Sequence, residues 1–236
     1  TNLAPNDTNG YIDVFVRDRL SGQTTRVSIT SDGIQANKSC IKTFINANGR
    51  YVAFVTIATS LSADDLNQYY DAYLHDRTTG HTTLVVSHAP SNRSSSTFGF
   101  SSDGNYLSIE STNGSLAPGG VDGERNLYRY EINSGQFMYI MRLDPSSGPV
   151  ALSNNARHVA YASYVGELPH LYVLDRDTNE VEEVSVSTTG ALIDGTAWQP
   201  FISADGQFVV FESNATNLTP GNVTTPWAVN IFLRDR

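Results

Sequence analysis

One pattern, a short apolar run, an Asp-Gly turn and a second apolar run, recurs along this chain and constrains what it can fold into. It reads most clearly as Phe201-Ile-Ser-Ala-Asp-Gly-Gln-Phe-Val-Val-Phe211. Phe44-Ile-Asn-Ala-Asn-Gly-Arg-Tyr-Val-Ala-Phe54 is a near copy, Phe100-Ser-Ser-Asp-Gly-Asn-Tyr-Leu-Ser-Ile109 a looser one, and Leu152-Ser-Asn-Asn-Ala-Arg-His-Val-Ala-Tyr161 a degraded one. Aligned on the turn, Gly49, Gly104, Ala156 and Gly206 lie 55, 52 and 50 residues apart. A period of that size is the mark of an array of like units, each too small to bury its own apolar faces.

Between these copies lies a second repeated element. Tyr11–Arg17 and Thr24–Thr30 are β-branched and aromatic runs joined through a Gly-containing turn, which predicts a hairpin. Equivalent pairs are Asp71–Arg77 with Thr82–Ser87, Leu127–Glu131 with Phe137–Met141, and Leu171–Asp175 with Val181–Val186. In the last of these Asn179 replaces the turn glycine, and Asn tolerates the left-handed backbone best after Gly. Each full unit therefore holds four strands, A to D. Stacking such sheets around an axis covers both apolar faces of each, which explains why Tyr51–Phe54 and Phe208–Phe211 are continuous apolar runs.

The predicted fold is all-β, a β-propeller of four-stranded antiparallel blades in a single domain over 1–236, with strand groups near 11–30, 40–88, 96–142, 149–187 and 197–236. Strands C and D come first, then three complete units, then A, B and C, seventeen in all. That tally suits five blades, two of them partial, or four blades with one strand displaced or shared with a neighbouring chain.

The run Ser203-Ala-Asp-Gly-Gln-Phe-Val-Val-Phe211, followed by Ile231-Phe-Leu-Arg-Asp235, resembles the WD40-like repeat of TolB-type propellers. Asp13-Val-Phe-Val-Arg-Asp-Arg19 and Thr24-Thr-Arg-Val-Ser28 are similar to its long variant in repeat proteins exported by bacteria. The resemblance implies that A strands line a central channel and D strands form the rim. It also implies a periplasmic or extracellular location, although Thr1-Asn-Leu-Ala-Pro5 carries no basic and apolar leader pattern. The motif specifies fold far more than function.

A net charge of −9 argues against a nucleic-acid partner or an anionic membrane surface, and no apolar run is long enough to insert into a bilayer. The single cysteine, Cys40, cannot form an internal disulfide and reads as a small buried hydrophobe. For chemistry, the sharpest candidate is a calcium site in the B-to-C loops. Asp7, Asn9 and Asp13 recur at identical offsets as Asp65, Asn67 and Asp71, and oxygen donors so spaced in a turn can converge on a hard cation. The competing explanation is that these residues simply form turns by bonding nearby backbone N–H groups. Asp122 and Asn126 keep two positions of a third copy; Asn222 and Asn230 flank an insertion in the last.

No nucleophile elbow, zinc-protease motif or phosphate loop is present, and the five histidines (His75, His81, His88, His158, His170) are scattered singly. Propeller glycosidases would need paired carboxylates. The expected A strands, Ile41–Ile45, Ser96–Phe100, Pro149–Leu152 and Trp198–Ile202, carry neither Asp nor Glu. These features favour a non-catalytic binding module for a protein or peptide partner. A carbohydrate-binding lectin, using Tyr69, Tyr70, Trp198 and Trp227, is the first alternative, and the scaffold of a larger hydrolase or peptidase the second.

Overall fold

The computed structural model describes residues 3–86, 95–144, 147–221 and 228–236. Among these residues, seventeen strands form five antiparallel sheets. A two-stranded ribbon, β1 (Phe15–Arg17) and β2 (Thr24–Arg26), comes first. The first four-stranded sheet is β3 (Cys40–Ile45), β4 (Tyr51–Thr56), β5 (Asp71–Asp76) and β6 (His81–Leu84). The second is β7 (Ser95–Phe100), β8 (Tyr106–Ser111), β9 (Asn126–Glu131) and β10 (Gln136–Arg142). The third is β11 (Ala151–Leu152), β12 (His158–Val165), β13 (Leu168–Asp175) and β14 (Glu180–Glu183). A three-stranded sheet closes the series: β15 (Ala197–Ile202), β16 (Phe208–Ser213) and β17 (Asn230–Asp235).

Within every sheet, strands adjacent in sequence are adjacent in space. Four sheets own an inner strand, β3, β7, β11 or β15, and stand around a common axis, which makes the molecule a four-bladed β-propeller of TolB-like type. The ribbon lacks an inner strand and lies against the first blade. Of the two blade counts the sequence leaves open, the structure takes four.

Local chemistry explains the turns. Gly49, Gly104 and Gly206 hold φ of 73°, 74° and 80°, a left-handed conformation that glycine adopts without steric penalty. The degraded copy manages with Asn155 and Ala156 at φ 54° and 50°, and Asn179 takes φ 61° where its equivalents Gly22, Gly80 and Gly135 take about the same. The apolar side chains do not form one central core. They form four layers, one in each gap between consecutive sheets. Val14 and Val27 of the ribbon pack with Val52, Phe54 and Tyr73 of the first blade. Ala53, Ala72 and Leu74 pack with Leu107, Ile109 and Tyr128 of the second. Leu127 meets Leu152, Val159 and Tyr161 of the third, whose Ala160, Leu171 and Val173 meet Val209 and Phe211 of the last.

The last blade shows the same design without a cover. In the first blade Ala53 pairs with Leu74; in the last Val210 pairs with Leu233 at the corresponding rung. Leu74 is 6% exposed, Leu233 64% and Ile231 75%. Among the described residues, β17 is paired only with β16. The two leucines should therefore behave very differently. Leu74→Ala is expected to cost about 2–4 kcal/mol in denaturant unfolding and Leu233→Ala less than about 0.5 kcal/mol. Equal losses would refute this account of the layers.

Candidate functional site

The inner strands of all four blades surround a cavity of about 760 Å³. Its walls are Phe44 and Ile45 from β3, Phe100 from β7, Leu152 with Pro149 and Val150 from the third blade, and Phe201 and Ile202 from β15. That volume lies in the range of ordinary ligand pockets, and apolar walls with few polar groups are their usual composition. The charged side chains lining it are Lys42, Glu110 and Arg125.

Three inner strands are bulged at nearly the same place. Pairing slips between Ile41 and Phe44 in β3, between Thr97 and Gly99 in β7, and between Trp198 and Phe201 in β15. Lys42 and Gln199 occupy equivalent positions, seven residues before Gly49 and Gly206, and both hold left-handed φ, 47° and 51°. The remaining non-glycine residues with positive φ among those described lie in turns, Asn6 and Asn179, or in the short 3-10 helix Asn154–Ala156. A bulge of this kind re-aims a side chain at the expense of local pairing. Gly99, at φ 130°, serves a different purpose: an added Cβ would come within 3.3 Å of the Phe44 ring, so its absence lets β7 approach β3.

Glu110 is paired with Arg125. The Arg125 Nε donates to it at 2.5 Å, and Arg125 Nη1 also donates to the carbonyls of Asp144 and Ser147 at 2.8 and 3.3 Å. Lys42 Nζ donates to Ser96 Oγ of the neighbouring blade at 3.0 Å. The observed inner strands contain no Asp or Glu.

The two Asp-Asn-Asp copies are built alike and neutralised differently. In both, the asparagine forms an Asx turn: Asn9 Oδ1 accepts from Tyr11 N at 3.0 Å and Asn67 Oδ1 from Tyr69 N at 2.6 Å. In the ribbon, Arg26 lies between the acids, 3.2 Å from Asp7 and 3.5 Å from Asp13, and Ser28 Oγ donates to Asp13 at 2.5 Å. In the first blade Leu84 takes the place of Arg26, each opposite an aromatic residue, Tyr73 or Phe15. Asp65 accepts from the Tyr73 hydroxyl at 2.6 Å, and Ser95 Oγ donates to Asp71 at 3.4 Å. Burial, followed by the nearby Asp65 charge, pushes Asp71 up to about 7; burial also raises Asp65. In the second blade the corresponding residue is a neutral Asn126, whose amide donates to the carbonyls of Val121 and Glu124, both at 2.8 Å. In the third blade the place is taken by His170, 2.6 Å from Glu183.

Among the described residues no three His, Cys, Asp or Glu side chains converge as a metal site would require. A cation at either copy would thus depend on two carboxylates plus amide and backbone oxygens. Asp122 accepts from Gly114 N at 2.8 Å, a loop-forming role. Cys40 is buried and its thiol is raised to about 11 by burial, which makes it unreactive. Tyr69 and Tyr70 are exposed, whereas Trp198 is half-buried and its Nε1 donates to Glu212 at 2.9 Å. Trp227, His88 and Asn222 lie outside the described residues.

Arg26, Lys42, Gln199 and the Glu110–Arg125 pair were not singled out by sequence reasoning. Only Arg26 leaves a trace there, as the charged residue of Thr24-Thr-Arg-Val-Ser28 where the next copy has Leu84.

No family model and no curated protein sequence matches the chain. Solved structures do. TolB from Acinetobacter baumannii superposes with a TM-score of 0.54 at 15% identity, covering 94% of this chain and 49% of that one. An oligogalacturonate lyase from Vibrio parahaemolyticus gives 0.62 at 15% identity, covering 94% and 54%. A puromycin-hydrolysing peptidase from Mycobacterium tuberculosis gives 0.51 at 14%, covering 91% and 29%. The chain thus spans about half the length of the TolB structure it matches, and identities this low establish the fold alone.

Proposed function

We propose that this TolB-like propeller is a non-catalytic binding module that takes a peptide segment of a protein partner into its central cavity. The observation carrying this reading is the cavity itself, with aromatic and aliphatic walls drawn from four blades and its one acid held by Arg125. A hydrolytic or lyase mechanism would need acid–base groups aimed into that space, and the inner strands carry neither Asp nor Glu. Periplasmic or extracellular location is part of the same reading and rests on the repeat resemblance; no helix of the described residues is long and apolar enough to cross a membrane.

Two other readings have a specific observation behind them. Exposed Tyr69 and Tyr70 favour a lectin. The small share of the peptidase chain that is covered favours a scaffold within a larger enzyme. A calcium ion, if bound, would be held by Asp7, Asn9 and Asp13 or by Asp65, Asn67 and Asp71 in the B-to-C loops and not in the cavity.

A peptide-display panel and a glycan array, each probed with the wild-type chain and Phe201→Asp, separate these readings. Phe201 is 67% exposed, so the variant should unfold within about 0.5 kcal/mol of wild type. Peptide capture lost in Phe201→Asp is the expected result. Sugar hits alone would establish the lectin, and absence of both would overturn the binding-module reading.

A further inference from the structure

We propose that the edge of β17, which among the described residues is paired on one side only, is a binding site apart from the cavity. It takes an extended segment of a protein partner as a fourth antiparallel strand, with a carboxylate opposite Arg234 and apolar residues opposite Ile231, Phe232 and Leu233.

The other sheets show what stands at this edge. The strands equivalent to β17 are β1, β5, β9 and β13, and each is paired on its outer side by β2, β6, β10 or β14. Arg17, His75, Tyr130 and Leu174 occupy the place of Arg234, and each meets a residue of like kind across the rung. Arg17 Nη1 donates to Thr24 Oγ1 at 3.0 Å, His75 Nδ1 lies 2.8 Å from Thr82 Oγ1, the Tyr130 and Phe137 rings are 4.9 Å apart, and Leu174 pairs with Val181. Arg234 has no such partner. It is half-buried, and its Nε is withdrawn from water without an acceptor among the described residues. A guanidinium stays ionised at physiological pH, so a buried donor left unmade costs more on it than on a neutral group. A carboxylate on the adjoining strand is the group whose shape and charge suit it best.

The rest of the strand sets the apolar part of the pattern. Ile231 and Leu233 are 75% and 64% exposed and alternate with half-buried Phe232. Side chains directly opposite on adjacent strands touch, so apolar residues of the incoming segment lie against Ile231 and Leu233 on one face and Phe232 on the other. Running antiparallel to β17, the segment therefore reads acidic, then three apolar residues, from its N-terminal end. Unpaired backbone groups along β17 supply the affinity that such strand addition needs. A second copy of the chain fits less well: pairing all six residues of two β17 strands sets Arg234 opposite Ile231, not opposite a carboxylate.

Fluorescence anisotropy with the intact chain and a labelled peptide, acetyl-Ser-Thr-Glu-Val-Phe-Val-Thr-Ser-amide, tests the assignment. Replacing its Glu by Gln is expected to weaken binding about fivefold or more. Arg234→Met should bind the two peptides equally while melting no lower than wild type, because it removes a buried donor that has no acceptor; loss of preference is then not loss of fold. Arg234→Glu should prefer the peptide with Lys in place of Glu. Methylating the peptide nitrogens one at a time should abolish binding at alternate positions only, as pairing along a strand edge requires. Phe201→Asp, which alters the cavity, should leave binding unchanged; binding lost in that variant would put the peptide in the cavity and overturn the proposal. Equal binding of the Glu and Gln peptides, a Glu preference kept by Arg234→Met, or no binding of any peptide would each overturn it. So would a dimer in sedimentation that Ile231→Lys disperses, since the edge would then belong to a second copy.

Discussion

Asp71→Asn is expected to stabilise the protein by about 2 kcal/mol at pH 8 and to have almost no effect at pH 4. The reason is the sign of the Asp71 perturbation. Its carboxyl is raised to about 7, first by burial and then by Asp65. An unfolded aspartate titrates near 4. Between these values the folded chain holds a proton that the unfolded chain has released, so stability falls as pH rises through the window and levels off above about 7. The displacement corresponds to a folding penalty on the order of 4 kcal/mol for the ionised group, part of which a buried amide would retain. Asp65, raised in the same direction, extends the pH dependence of the wild type.

The chain contains its own precedent. Asn126 begins β9 as Asp71 begins β5, is completely buried, and places its amide hydrogens on the backbone carbonyls of its loop. At the same position Asp13 lies 3.5 Å from Arg26 and His170 lies 2.6 Å from Glu183. In the first blade Leu84, paired with Tyr73, stands where Arg26 and Glu183 stand in the ribbon and the third blade, and a second buried acid, Asp65, lies near Asp71. Urea unfolding of both proteins from pH 4 to pH 8 measures the effect. A variant less stable than wild type at pH 8 in chelator would refute this account of Asp71. Calcium in place of chelator provides a second comparison. A bound cation would stabilise wild type and spare Asp71→Asn, reversing their order.

The fold was legible in the sequence because its signals are local and repeated. Turn glycines, β-branched runs and their spacing depend on residues within about ten positions of one another, and four imperfect copies correct each other's decay. Ala156 illustrates this: it is a poor turn residue read correctly from the company it keeps. The cavity was legible only as a negative, the lack of acids on the inner strands. Its positive features come from pairing register and from contacts between blades. The hydrogen bond from Lys42 to Ser96 joins residues 54 positions apart, and nothing in Ile41-Lys-Thr-Phe44 distinguishes a bulged strand from a regular one. The two acidic loops show a third kind of limit. Their spacing is identical, yet their electrostatics differ because of one residue on another strand, arginine at 26 and leucine at 84.

That difference yields the second large effect. Arg26→Leu gives the ribbon the composition of the first blade and should cost about 3–5 kcal/mol, since removing one partner leaves buried carboxylates without their counter-charge. The side chains of Asp7 and Asp13 are 6% and 0% exposed, and Arg26 also donates to Gln35 at 2.7 Å and to the Asn6 carbonyl at 2.8 Å. Amide exchange should show the loss concentrated in residues 6–36, where those bonds dock the loop onto the ribbon. Calcium then tests the recurring Asp-Asn-Asp spacing directly. With the guanidinium gone, Asp7, Asn9 and Asp13 present the same oxygens as Asp65, Asn67 and Asp71. If these oxygens form a cage for a hard cation, millimolar calcium should restore much of the lost stability in Arg26→Leu, by mass action on the folded state. At the ribbon of the wild-type chain, where Arg26 occupies the space between the acids, amide exchange should not respond to calcium. Indifference of Arg26→Leu to calcium would leave the Asx turns as the whole explanation of the motif there, with arginine as the ribbon's permanent cation.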